Sequence, residues 1–399
     1  MHMTPNKAPN VLVMQSGGCT PVLNQSLNGV VAASTCSNHF GSVYGSIHGL
    51  EGILEEKFID LTCLSKSTWS NISRSPGAAL GSTRRKFRSE DSDRVVNVFA
   101  DWGIKYLFTI GGNDSAGTAL QLSYSAKSTG YPLTVMNIPK TIDNDLVLTD
   151  HSPGYGSTAR FIALAAMGAG QDALSMGKAA PITIIEVMGR DAGWLAAASA
   201  LASRKDSDAP HLICIPEIPV EELRFLDAVD NAYCKYGFVV AVVSENSRGP
   251  DGSVLGGETE PWLVDDFGHA YYDGPARYLA GLIQKRLGVR VRYEKPGTIQ
   301  RSFVEALSNV DCMEAEMVGR DAVSYALSGH DEEMVTLVRD EYEKYSCHSD
   351  TVDLSKVADQ VKIMPNEYFQ SKEFWVTDAF LKYAGPLIGE PLPMVLSLI

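Results

Sequence analysis

Leu133-Thr134-Val135-Met136-Asn137-Ile138 runs directly into Pro139-Lys140-Thr141-Ile142-Asp143-Asn144-Asp145. The first six residues read as a largely apolar strand. The next seven place an ammonium, a hydroxyl, an amide and two carboxylates at its end. A strand that empties into such a cluster is suited to a charged, oxygen-rich ligand. A second apolar run, Tyr106–Ile110, empties into Gly111-Gly112-Asn113-Asp114-Ser115. Two strand ends with this chemistry point to one phosphate-handling site in an α/β protein.

Working outward, short β-rich runs alternate with helical segments. Val11–Gln15 predicts a strand, followed by the turn Ser16–Thr20 and a helix from about Asn24. Ile182–Met188, His211–Ile215 and Gly237–Ser244 predict later strands, and Ala192–Ser203 a helix. The later runs are continuously apolar, as strands covered on both faces are. The alternation predicts α/β architecture: two Rossmann-like three-layer domains with mostly parallel sheets. The Pro153, Gly154 and Gly156 cluster within His151–Gly156 marks the expected boundary. Ser247–Asp266, polar and rich in Gly and Pro, reads as an exposed insertion or flexible loop.

Composition excludes several classes. The chain has 399 residues, 45% hydrophobic and 21% charged, with a formal charge of −14. That is enough for two domains and argues against nucleic acid or an anionic membrane as partner. No apolar run reaches ~18 residues, and the start lacks the apolar stretch of a signal peptide. Seven scattered cysteines, none spaced C-x-x-C, predict reduced thiols, a cytoplasmic location and no structural zinc. His48, His151 and His211 are isolated and read as structural.

Each motif has a plainer reading beside the functional one. Ser16-Gly17-Gly18-Cys19-Thr20-Pro21 fits either a phosphate-binding turn or an ordinary strand-to-helix turn. Asp114 or Ser115 could cap a helix, and a helix start is also an anion site. A carboxylate there repels phosphate unless Mg²⁺ intervenes, so Asp114 signals either a metal or exclusion of a further phosphate. Asp143 and Asp145, two apart, share a side if the segment is extended. One could then act as base while the other orients a neighbour or binds metal. In Met188-Gly189-Arg190-Asp191-Ala192-Gly193-Trp194, Arg190 fits a phosphate contact or a structural pair with Asp191. Arg84 follows a Gly-rich stretch, Arg292 and Arg301 flank Lys295-Pro296-Gly297-Thr298, and Glu245 follows a buried run. Glu245 could accept sugar hydroxyls or cap a helix. No P-loop and no complete G-x-G-x-x-G after the first strand is present, which disfavours a nucleotidase or dinucleotide enzyme.

SGGCTP, GSTRR, GGNDS, PKTIDND, EVMGRDAG, VVSEN and TIQR occur in this order. Through them the chain resembles the phosphofructokinase family, over most of its length. The resemblance implies an active site in the cleft between two domains and phosphoryl transfer to the 1-hydroxyl of fructose 6-phosphate. It implies a donor domain of residues 1–153 plus about 300–350, and a sugar-phosphate domain of 154–299 plus about 351–399. It makes Asp143 the general base, with Thr141 and Asp145 framing it. Met188, Gly189 and Arg190 contact the sugar phosphate, Glu245 the sugar hydroxyls, and Arg292, Thr298 and Arg301 complete that side. Arg292 is expected to be lent by a neighbouring subunit, which implies a homodimer or homotetramer. Gly18 and Arg84 fall on the donor side.

The same resemblance bears on the donor. Members that use ATP need a glycine where Asp114 stands, because the α-phosphate passes there. An Asp at that position with a Lys at 140 marks members that use inorganic pyrophosphate. Mg²⁺ is the expected cofactor, with Asn113 and Asp114 its candidate ligands, although Asn113 stands where many members have Asp. Val22, Pro181 and Thr298 also depart from common family residues. An ATP-dependent member and a non-catalytic regulatory paralogue are the competing expectations. The presence of Asp143, Asp145, Arg190 and Arg301 argues against the paralogue.

Overall fold

The computed structural model describes residues 8–257, 263–264, 270–271, 274–342 and 344–398. The chain divides into two compact units. The first comprises Met1–Thr141, Leu146–Gly154 and Cys312–Val361. The second comprises Ile142–Asp145, Tyr155–Asp311 and Lys362–Ile399.

The first unit is built on a seven-stranded sheet. Its order is Cys347–Asp353, Glu333–Arg339, Thr134–Pro139, Ile104–Gly111, Asn10–Gln15, Val43–Ser46 and Phe58–Asp60. The five inner strands are parallel, and the two outermost strands pair antiparallel with their neighbours. Asn10–Gln15 is buried throughout. Val11 and Val13 join a core with Leu23, Leu27 and Val318 on one face. Leu12 and Met14 join Val95, Phe99, Ala119 and Leu122 on the other. Alternate residues of one apolar run therefore face two helical layers. Helices Leu23–Cys36 and Asn309–Leu327 cross closely: a Cβ on Gly29 or Gly319 would lie 2.2 Å from the opposite backbone oxygen.

The second unit has a four-stranded parallel sheet, in the order Val291–Glu294, Ile182–Val187, Val239–Ser244, Leu212–Cys214. Ile182, Ile184, Val239, Ala241 and Val243 pack against Phe225, Leu279 and Ile283 of its helices. Helix Tyr155–Met176 buries Ala159, Ala163, Ala166, Gly170 and Ala173 on one stripe.

The expected strands are present within one or two residues of their predicted ends. The expected helix Ala192–Ser203 is instead a short helix, Trp194–Ala198, followed by a 3-10 turn, Ser199–Ala202. The division differs from the expected edges: residues 142–145 and 300–311 pack with the second unit, and 351–361 with the first. Cys347–Asp353 pairs with Glu333–Arg339, which keeps this stretch on the first sheet. Ser247–Asp266 is not uniformly exposed, because Ser247 and Leu255 are buried. They are held by the bond from Leu255 N–H to the Ser247 carbonyl. Residues 258–262 and 265–266 of that expected loop lie outside the described residues. All seven cysteines are free thiols.

Candidate active site

In the first sheet the chain moves from Asn10–Gln15 to Val43–Ser46 on one side, while Ile104–Gly111 lies on the other. The loops after Asn10–Gln15 and Ile104–Gly111 therefore flank a topological switch point, where open α/β sheets bind ligands. The buried Gln15 fixes the first loop. Its amide donates to Asn24 Oδ1 at 3.1 Å and accepts from Leu80 N–H at 3.0 Å.

Gly17, at φ +77°, donates its N–H to the Thr83 carbonyl at 3.0 Å. Ser82 Oγ donates to the Gly17 carbonyl at 2.6 Å. Arg84 follows directly, so the GSTRR stretch is seated on the SGG turn. Lys140, only 3% exposed, donates Nζ to the Gly18 carbonyl at 2.6 Å. Its own N–H reaches the Gly111 carbonyl at 3.2 Å. A Cβ on Gly111 would sit 2.0 Å from Ser115 Oγ, which is why glycine stands there. Gly18, Lys140 and the Gly111–Asp114 turn are thus gathered at adjacent strand ends.

Asn113 and Asp114 open helix Asn113–Ser128, and Asp114 is exposed. Neither Asp114 nor Ser115 caps this helix: Gly112 is the N-cap and no side chain bonds there. A helix start of this kind is suited to an anion.

The second unit carries Asp143 and Asp145. They are not on a plain extended segment, because Asn144 between them is left-handed at φ +55°. The side-by-side placement expected of a strand therefore does not apply. The loop after Ile182–Val187 is also strained. Gly189 has φ +137° and Arg190 φ +49°, and left-handed backbone at a non-glycine residue persists only where its surroundings hold it. Here side-chain acceptors do so. Glu245 Oε1 accepts from Arg190 N–H at 3.2 Å, and Gln300 Oε1 accepts from Met188 N–H at 3.2 Å. Burial raises the Glu245 carboxyl above its ordinary range, with the Arg190 N–H working against it. Asp191 bonds Asn246 and Arg248 through Oδ1.

Arg301 closes the 3-10 turn Gly297–Arg301 that also holds Thr298 and Gln300. Met188, Arg190, Glu245 and this turn are linked by the bonds above. Arg292 is held by Asp172 Oδ2 of its own chain at 2.5 Å. Gln300, inside the TIQR motif, supports the Met188–Arg190 loop and was not among the residues the sequence singled out.

The match to the family described as Phosphofructokinase spans residues 10–326. The chain belongs to the phosphofructokinase family. A pyrophosphate–fructose 6-phosphate 1-phosphotransferase of Halomonas elongata is 37% identical over 96% of this chain and 93% of its own length. One of Rhodospirillum rubrum is 38% identical, covering 96% and 95%. The crystal structure of a pyrophosphate-dependent phosphofructokinase from Nitrosospira multiformis superimposes with a TM-score of 0.88. It is 33% identical and covers 98% of this chain and 95% of that one. Among the described residues, no helix is long and apolar enough to cross a membrane.

Proposed function

We propose that this member of the phosphofructokinase family transfers a phosphoryl group between inorganic pyrophosphate and the 1-hydroxyl of fructose 6-phosphate, in both directions. The observation that carries the reading is the buried Lys140 on the Gly18 carbonyl, beside the turn that presents Asp114. The names borne by the Halomonas and Rhodospirillum relatives support it.

In this reading the first unit holds the donor through Gly18, Arg84 and Lys140. Asp114 takes the space that a nucleotide's α-phosphate would need and repels it. The second unit holds the acceptor. Met188, Gly189, Arg190, Thr298 and Arg301 surround the sugar phosphate, and Glu245 accepts from sugar hydroxyls. Thr141 and Asp145 frame the reacting groups. Asp143 takes the proton of the 1-hydroxyl as that oxygen bonds to phosphorus. The bond from phosphorus to the bridging oxygen breaks, and orthophosphate leaves with both electrons. Lys140 meets the charge on the transferring group.

Among the described residues no group of three or more His, Cys, Asp or Glu is placed to hold a metal. That suits Mg²⁺, which takes one or two protein oxygens plus phosphate and water. Asn113 and Asp114 would hold it, and bound there it would neutralise phosphate charge. Arg292 is the residue a homodimer or homotetramer would share, after release from Asp172. A cytoplasmic location belongs to the same proposal.

The test is turnover of fructose 6-phosphate with Mg²⁺ and either pyrophosphate or ATP. The expected result is turnover with pyrophosphate and none with ATP. Turnover with ATP alone would overturn the reading.

A further inference from the structure

We infer that residues 362–388, beyond the span matched to the family, position the base Asp143, acting through Tyr383 and Glu217. The inference rests on the reading of Asp143 as the base. It starts from Asn144, which is fully buried and left-handed at φ +55° between the two acids of the motif. Asn144 Nδ2 donates to Tyr383 Oη at 2.8 Å. The carbonyl of Asp145 accepts from Lys362 N–H at 2.7 Å. Both residues that follow the base are therefore tied to the C-terminal segment.

That segment is itself anchored. Tyr383 stacks on Tyr368, with ring centroids 5.4 Å apart and planes at 24°, and lies 5.3 Å from the Trp194 ring. Trp194 Nε1 donates to the Lys362 carbonyl at 3.2 Å, and the Lys362 ammonium lies 5.1 Å from the Trp194 ring centroid. Glu217 completes the frame. Its Oε1 accepts from Met364 N–H and from Gly193 N–H, each at 2.9 Å. Gly193 ends the loop that carries Met188 and Arg190. One carboxylate thus joins the segment behind the base to the loop that meets the sugar phosphate. A left-handed asparagine that loses its hydroxyl partner is held less firmly, and its neighbour Asp143 is then less well placed toward the attacking hydroxyl. Misplacement of this kind lowers the rate of the chemical step more than it weakens binding.

The experiment compares full-length variants by steady-state kinetics with pyrophosphate and fructose 6-phosphate. Tyr383→Phe is expected to lower kcat about tenfold while the KM for each substrate stays within about twofold. Glu217→Ala should do the same. Glu217→Gln retains an oxygen for both N–H groups and should restore kcat, whereas Glu217→Leu, which fills the space without an acceptor, should not. Unchanged kcat in Tyr383→Phe and Glu217→Ala would overturn the inference, as would equal losses in Glu217→Gln and Glu217→Ala. Asp143→Asn, assayed alongside, tests the base itself. Retained turnover there would remove the base reading, whereas the Tyr383 and Glu217 comparison still shows whether the C-terminal segment sets the rate.

Discussion

Both units present loops at the ends of parallel strands, but they hold those loops in opposite ways. In the first, the side chains that fix the Gly17–Gly18 turn, Ser82 Oγ and Lys140 Nζ, reach its carbonyls. In the second, the Met188–Gly193 loop is fixed through its N–H groups, by Gln300, Glu245 and Glu217. Donors satisfy the carbonyls on the first side, which suits the polyanion proposed to bind there. Carboxylate and amide oxygens satisfy the N–H groups on the second, which suits the proposed acceptance from sugar hydroxyls.

The acids at the Met188–Gly193 loop also differ from the pair around His151. Glu217 and Glu245, in the second unit, are both raised by burial. In the first unit, burial would raise Asp150 as well, yet His151 and Arg339 bring it down to about 2. Glu314 is likewise lowered, because His151 outweighs its burial. The histidine between them bonds Asp150 Oδ1 at 2.8 Å and Glu314 Oε2 at 2.7 Å. Burial alone would depress His151, but Glu314 and Asp150 push it up to about 9. Asp150 and Glu314 are thus paired with His151, whereas Glu217 and Glu245 stand beside backbone N–H groups of the Met188–Gly193 loop.

The comparison breaks most visibly at Lys140. Lys140→Met removes the cation that grips the Gly18 carbonyl and, in the proposed reaction, meets the charge on the transferring group. We expect kcat with pyrophosphate to fall about 10²–10³-fold. The KM for fructose 6-phosphate should change by less than about twofold, since the loop proposed to hold the sugar phosphate lies in the other unit. A loss confined to sugar KM would show that the two regions do not divide the work as argued.

A smaller effect sharpens the contrast of charges. His151 has a folded value above its ordinary 6.5. Its contribution is therefore complete below about pH 6.5 and is lost as pH rises toward about 9. The full shift corresponds to an upper bound on the order of 3 kcal/mol. Asp150 and Glu314 act oppositely, stabilising above their ordinary values and failing as the solution becomes strongly acidic. Denaturant unfolding at pH 6 and pH 9 should show the alkaline loss, and His151→Gln should flatten it. An unchanged slope in that variant would assign the loss elsewhere.

The strands and the loop chemistry were legible in the sequence because buried parallel strands leave continuous apolar runs that stop at glycine or charge. Val11–Gln15, Tyr106–Ile110 and Gly237–Ser244 are such runs. His151 was legible as structural from its isolation, but not as a cation clamped by Glu314, 163 positions away. The left-handed Asn144 was hidden for the same reason: its partner Tyr383 lies 239 positions along the chain. Asn tolerates left-handed backbone locally, but nothing within TIDND shows that it is held there by a distant hydroxyl. Glu217 carries a weak local signal, an acid just beyond the buried strand Leu212–Cys214.

The central claim is that Asp114 decides the donor. Its most direct test is Asp114→Gly, assayed with Mg²⁺ and fructose 6-phosphate against pyrophosphate and against ATP. We expect weakened use of pyrophosphate and measurable turnover with ATP where the parent protein shows none. Undiminished pyrophosphate turnover with ATP still rejected would contradict it.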